Sequence, residues 1–328
     1  MPTVDYNIIG KYRSQLMGIA ILNVLVLHSL GWTGFHHPAW AATALNTFGR
    51  LIFTEGFLFL SGYGLYYSLH KNSNLKVFFT KRVKRLLIPY WLMTLPFFML
   101  WLLMGKYGML GFAQRVSTLY FWFHGNYVGM WYISVSVLLY LCFPLIYTVL
   151  QRRRGGILLL LVTVAIISAL FFLSPDYYDM TSIGIVKIPF FIMGAWVGKK
   201  STEDGKLNVV WIAVLVLALA ALYVKPVCEW LSLRESLFRI VGMIACCFAL
   251  ELTRRITPLQ SFLKWVGQYT LEIYIFHLMF YCVLPDFDNG SMRAVLAIGI
   301  AFLLCVPVHR LTEMIANRIF PQKTTTKI

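Results

Sequence analysis

The chain has 328 residues, of which 59% are hydrophobic, 16% aromatic and only 13% charged, and its mean hydropathy is +0.71. A water-exposed surface normally takes about 25% charged residues, so the composition excludes a soluble globular protein and points to a lipid environment. The charge is lopsided, 29 Lys+Arg against 13 Asp+Glu. The basic residues nevertheless fall in short clusters between apolar runs, which argues against nucleic-acid binding and fits the loops of a membrane protein.

A membrane span needs about 20 mostly apolar residues. Runs of that kind are predicted near 14–34, 47–69, 86–104, 131–151, 155–174, 183–198, 207–224, 235–253, 265–284 and 292–312, the sixth being short and holding Lys187. The fold expected is therefore all-α, a polytopic membrane bundle of about ten transmembrane helices. It forms one domain over residues 1–328, with no internal repeat and no soluble appendage. The connections alternate in charge along the chain. "HKNSNLKVFFTKRVKR", "QRRRGG", "GKKSTEDGK", "TRRITP" and "NRIFPQKTTTKI" are basic, whereas "SPDYYDMTS" and "LPDFDNGS" are acidic or neutral. The positive-inside rule assigns the basic side, and with it both termini, to the cytoplasm. Ala39–Ala41 resembles a small-residue cleavage site, but the apolar run before it is long for a signal peptide, and cleavage would spoil the parity of the later spans. Cys142, Cys228, Cys246, Cys247, Cys282 and Cys305 show no CxxC spacing, so neither a disulfide framework nor a metal site is expected.

Ionisable residues at membrane depth cost about 2.5–3.5 kcal/mol each on insertion scales, and normally face the protein interior. His28 follows Arg13 by fifteen residues, about 22 Å along a helix. Arg13 then sits at the cytoplasmic mouth and His28 in the outer half. Glu55 opens the second span from the outside, so the two are expected to share a polar pocket, the carboxylate orienting the imidazole as a base. Lys187, Arg239, Glu272, His277 and His309 are further candidates. Glu272 and His277 do not share a helix face. His277 is read as bonding a neighbouring helix and His309 as structural. In "KRVKRLLIPYW", Lys81, Arg82, Lys84 and Arg85 precede a helix. They anchor the cytoplasmic side, and Arg82 and Arg85, at i and i+3, also suit phosphate oxygens.

Together these segments resemble the acyltransferase 3 family of integral-membrane O-acyltransferases from end to end. "GIAILNVLVLHS" is similar to the family's first helix, which finishes on a histidine, and "TEGFLFLSGYGLYYS" to its second, with Glu55 at the acidic position followed by Ser61-Gly62. "KRVKRLLIPYW" is similar to its RxxR-type segment, and "MWYISVSVLLYLCFP" to its Trp, Ser, Tyr and Pro helix at Trp131, Ser134, Tyr140 and Pro144. "VKIPFFIMGAWVG" and "LKWVGQYTLEIYIFH" also resemble family segments. The resemblance implies transfer of an acyl group, commonly acetyl, from cytoplasmic acetyl-CoA to a hydroxyl of a glycan or similar acceptor at the outer face of a bacterial plasma (inner) membrane. It implies His28 as general base supported by Glu55, and Arg82, Arg85, Lys81, Lys84 and Arg13 around the CoA phosphates. No metal is implied, because a thioester is already activated; Ser61 or Tyr63 are candidate oxyanion donors. Two positions depart from the family pattern. Met17 stands where an arginine is common, with Arg13 one turn earlier on nearly the same face, and Ser136 stands where a glutamate is common. The contrasting readings are a transporter or flippase of a glycan or lipid-linked sugar, and a non-catalytic scaffold. The first suits midplane polar residues but not the missing repeat.

Overall fold

The computed structural model describes residues 3–5, 7–32, 38–203, 206–208, 233–285 and 291–321. Almost all of them are helical. The exception is a strand pair, β1 (Thr3–Asp5) and β2 (Lys206–Asn208), antiparallel with Thr3 opposite Asn208. By length and apolar content six helical runs can cross a membrane: Arg13–Trp32, Leu75–Leu103, Trp131–Leu150, Gly155–Leu173, Pro175–Thr202 and Ser291–Ile319. Two more expected spans are helices of 19 and 20 residues, Phe53–Lys71 and Leu233–Leu252. Their polar residues, Glu55 and Arg239 among them, keep them out of a count made on composition. The expected span near 207–224 lies outside the described residues.

In chain order the first elements are α1 (Asn7–Lys11), α2 (Arg13–Trp32), α3 (Ala39–Arg50) and α4 (Phe53–Lys71). α5 (Leu75–Arg82) is started by Asn74, whose side chain accepts from the Val77 amide at 3.1 Å. It runs without a break through a π-helical turn, Val83–Leu87, into α6 (Ile88–Leu103). Single π turns inside helices are frequent at functional sites, and this one carries Lys84 and Arg85. Two short helices, α7 (Met109–Val116) and α8 (Tyr120–His124), precede α9 (Trp131–Leu150) and α10 (Gly155–Leu173). Then come α11 (Pro175–Ile185) and α12 (Ile188–Thr202), each with proline in its first turn, where the missing N–H costs nothing. The remaining elements are α13 (Leu233–Leu252), α14 (Thr257–Gln268), α15 (Thr270–Val283) and α16 (Ser291–Ile319). The run expected to be one span near 265–284 is thus broken at Tyr269, and only the 14 residues of α15 continue it.

Small residues set the helix packing. A Cβ on Gly62 of α4 would lie 2.0 Å from the Phe191 carbonyl oxygen, and one on Gly194 of α12 would lie 1.9 Å from that of Phe59. The two backbones touch, which explains the Ser-Gly pair of α4 and the Gly-Ala of α12 by packing alone. α2 and α14 cross in the same way, through Gly18 and Gly267. The buried Lys199 donates to the Leu150 carbonyl at 2.7 Å and so closes the C-terminal end of α9, where a cation also meets the helix dipole favourably. Leu161, Phe172 and Leu173 on α10, with Leu141 and Leu145 on α9, are exposed. Such an apolar outer surface is what a protein in lipid presents.

Candidate active site

His28 lies near the far end of α2 from Arg13. Its Nδ1 is 3.0 Å from Nε2 of His277 on α15. His277 is fully buried, and its Nδ1 is 2.8 Å from the Ile273 carbonyl oxygen one turn back. Trp32, one turn beyond His28, has its ring centroid 5.0 Å from the imidazole and stacks on Tyr281 at 3.7 Å. Tyr274 closes the other side. Its ring is 5.8 Å from that of His277, and its hydroxyl donates to the Gly129 carbonyl. Among the described residues, Nε2 of His28 has no hydrogen-bond partner.

Glu55 is not beside His28, as the sequence led one to expect. It is buried and pairs with Arg239 of α13, with Lys187 at 3.8 Å and with the Thr54 hydroxyl at 3.2 Å. Lys187 also donates to Thr54 at 3.1 Å and lies 4.5 Å over the Trp131 ring. A buried carboxylate is stable only when paired and hydrogen-bonded, and the two cations on α13 and before α12 supply that pairing. Glu55 therefore knots three helices together; the ring nitrogen of His28 meets His277 instead.

At the other end of α2, two cavities of about 690 and 670 Å³ share a wall made by Arg13, Arg82 and Arg85. Both fall in the size range of small-molecule sites, roughly 300–1,000 Å³. The first runs from Lys84 and Arg85 past Ser61 to Tyr132 and Tyr274. Its far end and the histidine pair thus share the ring of Tyr274. Its opposite wall carries Glu272, His309 and Glu313, with His309 Nδ1 2.6 Å from Glu272. The second is lined by Lys11, Lys81, Tyr63, Tyr67 and Ser68 besides the three arginines, with no carboxylate among its lining residues.

Two of the three arginines, Arg13 and Arg82, are held in place. Arg13 donates from Nε to the Leu60 carbonyl at 3.2 Å and lies so close to Gly64 that a Cβ there would be 2.9 Å from its guanidinium. Arg82 donates to Ser68 at 3.1 Å and lies 5.2 Å over the Phe78 ring, while its Nε is buried without a partner among the described residues. Lys84 lines the first cavity but also donates to the Phe320 carbonyl at 2.8 Å, tying the π turn to the end of α16. Lys81 is exposed at the rim. Ser61 faces the first cavity, but Tyr63 turns into the second, with its hydroxyl 3.4 Å from that of Tyr67. Tyr63 is on the wrong side of the arginine wall to serve an oxyanion near His28. Outside the membrane-spanning segments, the Glu251 carboxylate beside Lys11, at 2.7 Å, holds that ammonium above its usual range, so Lys11 keeps its charge at the cavity rim.

The sequence reading missed the pairing of His28 with His277. The signal was there in the depth: both lie in the outer half of their spans, on two helices that run in the same direction. No curated protein and no solved structure matches the chain. A family model described as an acyltransferase domain matches residues 16–310, nearly the whole chain. The chain is a multi-pass membrane protein that belongs to the acyltransferase 3 family.

Proposed function

We propose that this protein is a membrane O-acyltransferase that moves an acyl group, acetyl by family habit, from acyl-CoA to a hydroxyl of a glycan or similar acceptor. The observation that carries the reading is an arginine wall and a histidine on one helix, with a cavity leading from the first toward the second. The fit to CoA rests on chemistry present in the chain: three guanidiniums converge on two cavities, and Arg82 keeps a buried Nε–H without a partner. Forked donors of this kind suit phosphate oxygens. The second cavity, lined by five basic residues and no carboxylate, suits the nucleotide. The first, which reaches Tyr132 and Tyr274, suits the pantetheine arm. His28 takes the proton of the acceptor hydroxyl as its oxygen attacks the thioester carbonyl. The C–S bond then breaks, and the proton on His28 is available to the leaving thiolate. Basic residues cluster at the donor end, which supports a cytoplasmic donor side with both termini there and an acceptor on the outer face; a place in the bacterial inner membrane follows from family habit.

The test is single-turnover loss of acetyl-CoA on the purified protein with a hydroxyl acceptor, wild type beside His28→Ala. Thioester consumption by wild type that falls at least about a hundredfold in the variant, in the range general bases contribute, with acetyl-CoA affinity retained, is the expected result. Equal turnover in folded His28→Ala would overturn the assignment of the base. A folded wild-type protein that does not bind acetyl-CoA would overturn the function.

A further inference from the structure

Resting on that reading, we infer that His277 is a positioning residue that holds His28 in the one tautomer able to act as base from Nε2. The argument is one of donors and acceptors. The Ile273 carbonyl can only accept, so the proton between it and His277 lies on Nδ1 of His277, at 2.8 Å. His277 is fully buried, and a second proton would leave a charge with no counter-ion beside it among the described residues, so the ring is neutral. Its Nε2 then has a lone pair and no proton. At 3.0 Å from that lone pair, Nδ1 of His28 must be the donor. The neutral His28 ring has one proton, which leaves Nε2 bare and basic.

The alternative tautomer sets two lone pairs against each other at the same 3.0 Å separation. Both nitrogens would be buried acceptors without a donor, a penalty on the order of 10- to 100-fold in population. The arrangement helps again when the reaction proceeds. Once His28 has taken the acceptor proton it is an imidazolium, and its Nδ1–H bond to His277 becomes charge-assisted and stronger. His277 thus fills, as a neutral group, the place that a buried carboxylate fills behind other catalytic histidines. Trp32, stacked on Tyr281, walls one side of the pair and Tyr274 the other, so both rings are held in register. Glu55, committed to Arg239 and Lys187, takes no part in orienting His28.

The experiment uses the full chain in lipid nanodiscs. Wild type, His277→Gln, His277→Leu and His28→Ala are compared by kcat and KM for acetyl-CoA, and ¹⁵N-histidine spectra of the first three report which ring nitrogen of His28 is protonated. The glutamine carbonyl can accept from Nδ1 of His28; leucine cannot. Expected are a Nδ1–H tautomer in wild type, its loss in His277→Leu and its return in His277→Gln. Turnover should fall roughly 10- to 100-fold in His277→Leu and recover in His277→Gln, with KM for acetyl-CoA unchanged throughout. A wild-type His28 protonated on Nε2, or full turnover in His277→Leu while His28→Ala is dead, would overturn this inference and leave the base assignment standing. Full turnover in His28→Ala would overturn the base assignment first. Should His277→Leu fail to fold, the wild-type spectrum and the His277→Gln kinetics still decide.

Discussion

Removing the Arg82 guanidinium should weaken acetyl-CoA far more than removing the neighbouring Lys81 ammonium, although both belong to the same basic cluster. The difference follows from where the two groups lie. Arg82 is half-buried, held by Ser68 at 3.1 Å, and its side chain lines both cavities. A charge-assisted hydrogen bond in such a setting is worth about 1.5–3 kcal/mol, so Arg82→Ala should raise KM or Kd by roughly 10- to 150-fold. Lys81 is exposed at the rim, its charge is screened by salt over about 8–10 Å, and its loss should cost no more than about fivefold. The assay is a cycle in which the ligand is also changed: each protein is measured with acetyl-CoA, with acetyl-dephospho-CoA and with S-acetylpantetheine, which has no phosphate. The penalty of Arg82→Ala should vanish with S-acetylpantetheine, because there is then nothing for the guanidinium to hold. An equal penalty with acetyl-CoA and with S-acetylpantetheine would refute the reasoning, since Arg82 would then act on the fold or on the thioester. Because Arg82 also lies over Phe78 at 5.2 Å, the thermal stability of each variant is measured alongside, and Arg82→Lys keeps the charge while removing the fork.

Glu55→Gln should act on stability and leave turnover per folded molecule nearly unchanged; stripping the charge that Arg239 and Lys187 share should cost about 3 kcal/mol or more. A thermal midpoint equal to that of wild type, with turnover lost, would put Glu55 back among the catalytic groups. Gly62→Ala should destabilise by about 1–3 kcal/mol, because its Cβ would sit 2.0 Å from the Phe191 carbonyl oxygen, whereas Gly31→Ala, with nothing within 4 Å, should be neutral or mildly stabilising. Parallel thermal unfolding of the two alanine variants checks this, and an unharmed Gly62→Ala would show that α4 and α12 can separate without loss.

The helices were legible because apolar runs of span length have few other uses, and the arginine cluster because basic residues beside such runs mark one side. What the sequence could not supply was the angular position of each side chain. Depth alone was the ground for putting His28 and Glu55 in one layer. They face different neighbours, since Glu55 meets Arg239 and Lys187 and His28 meets His277. The break at Tyr269 was also missed: the expected span joined the end of α14 to α15, although α14 is the more polar of the two. Gly62 and Gly194 were seen as parts of a family pattern; their physical reason, two carbonyls about 2 Å from where a methyl would be, needs the crossing of two helices to become visible.

Polar groups within the bundle fall into two kinds, and the distinction separates structure from chemistry better than burial does. Glu55, Lys199 and Glu272 each meet a charge or a carbonyl that satisfies them. Groups so satisfied have been removed from water at no lasting cost, and they hold helices together. The Nε2 of the half-buried His28 and the buried Nε of Arg82 are different: among the described residues neither has a partner. The side chains of Asn23, Arg115, Ser136 and Thr312 also hold an unsatisfied buried atom, so it is the placement of the first two that points to a ligand; for a buried atom such as the Arg82 Nε the cost is about 1–3 kcal/mol. The two lie toward opposite ends of the α2 layer, one behind Tyr274 and one on the arginine wall, with the first cavity leading from the wall to Tyr274. A ligand that satisfied both would have to carry anionic groups at one end and a reacting proton at the other. Acyl-CoA with a hydroxyl acceptor at its thioester is such a pair; a neutral glycan supplies no anion for the wall, and a lipid-linked sugar phosphate supplies the anion but no thioester for a base to serve.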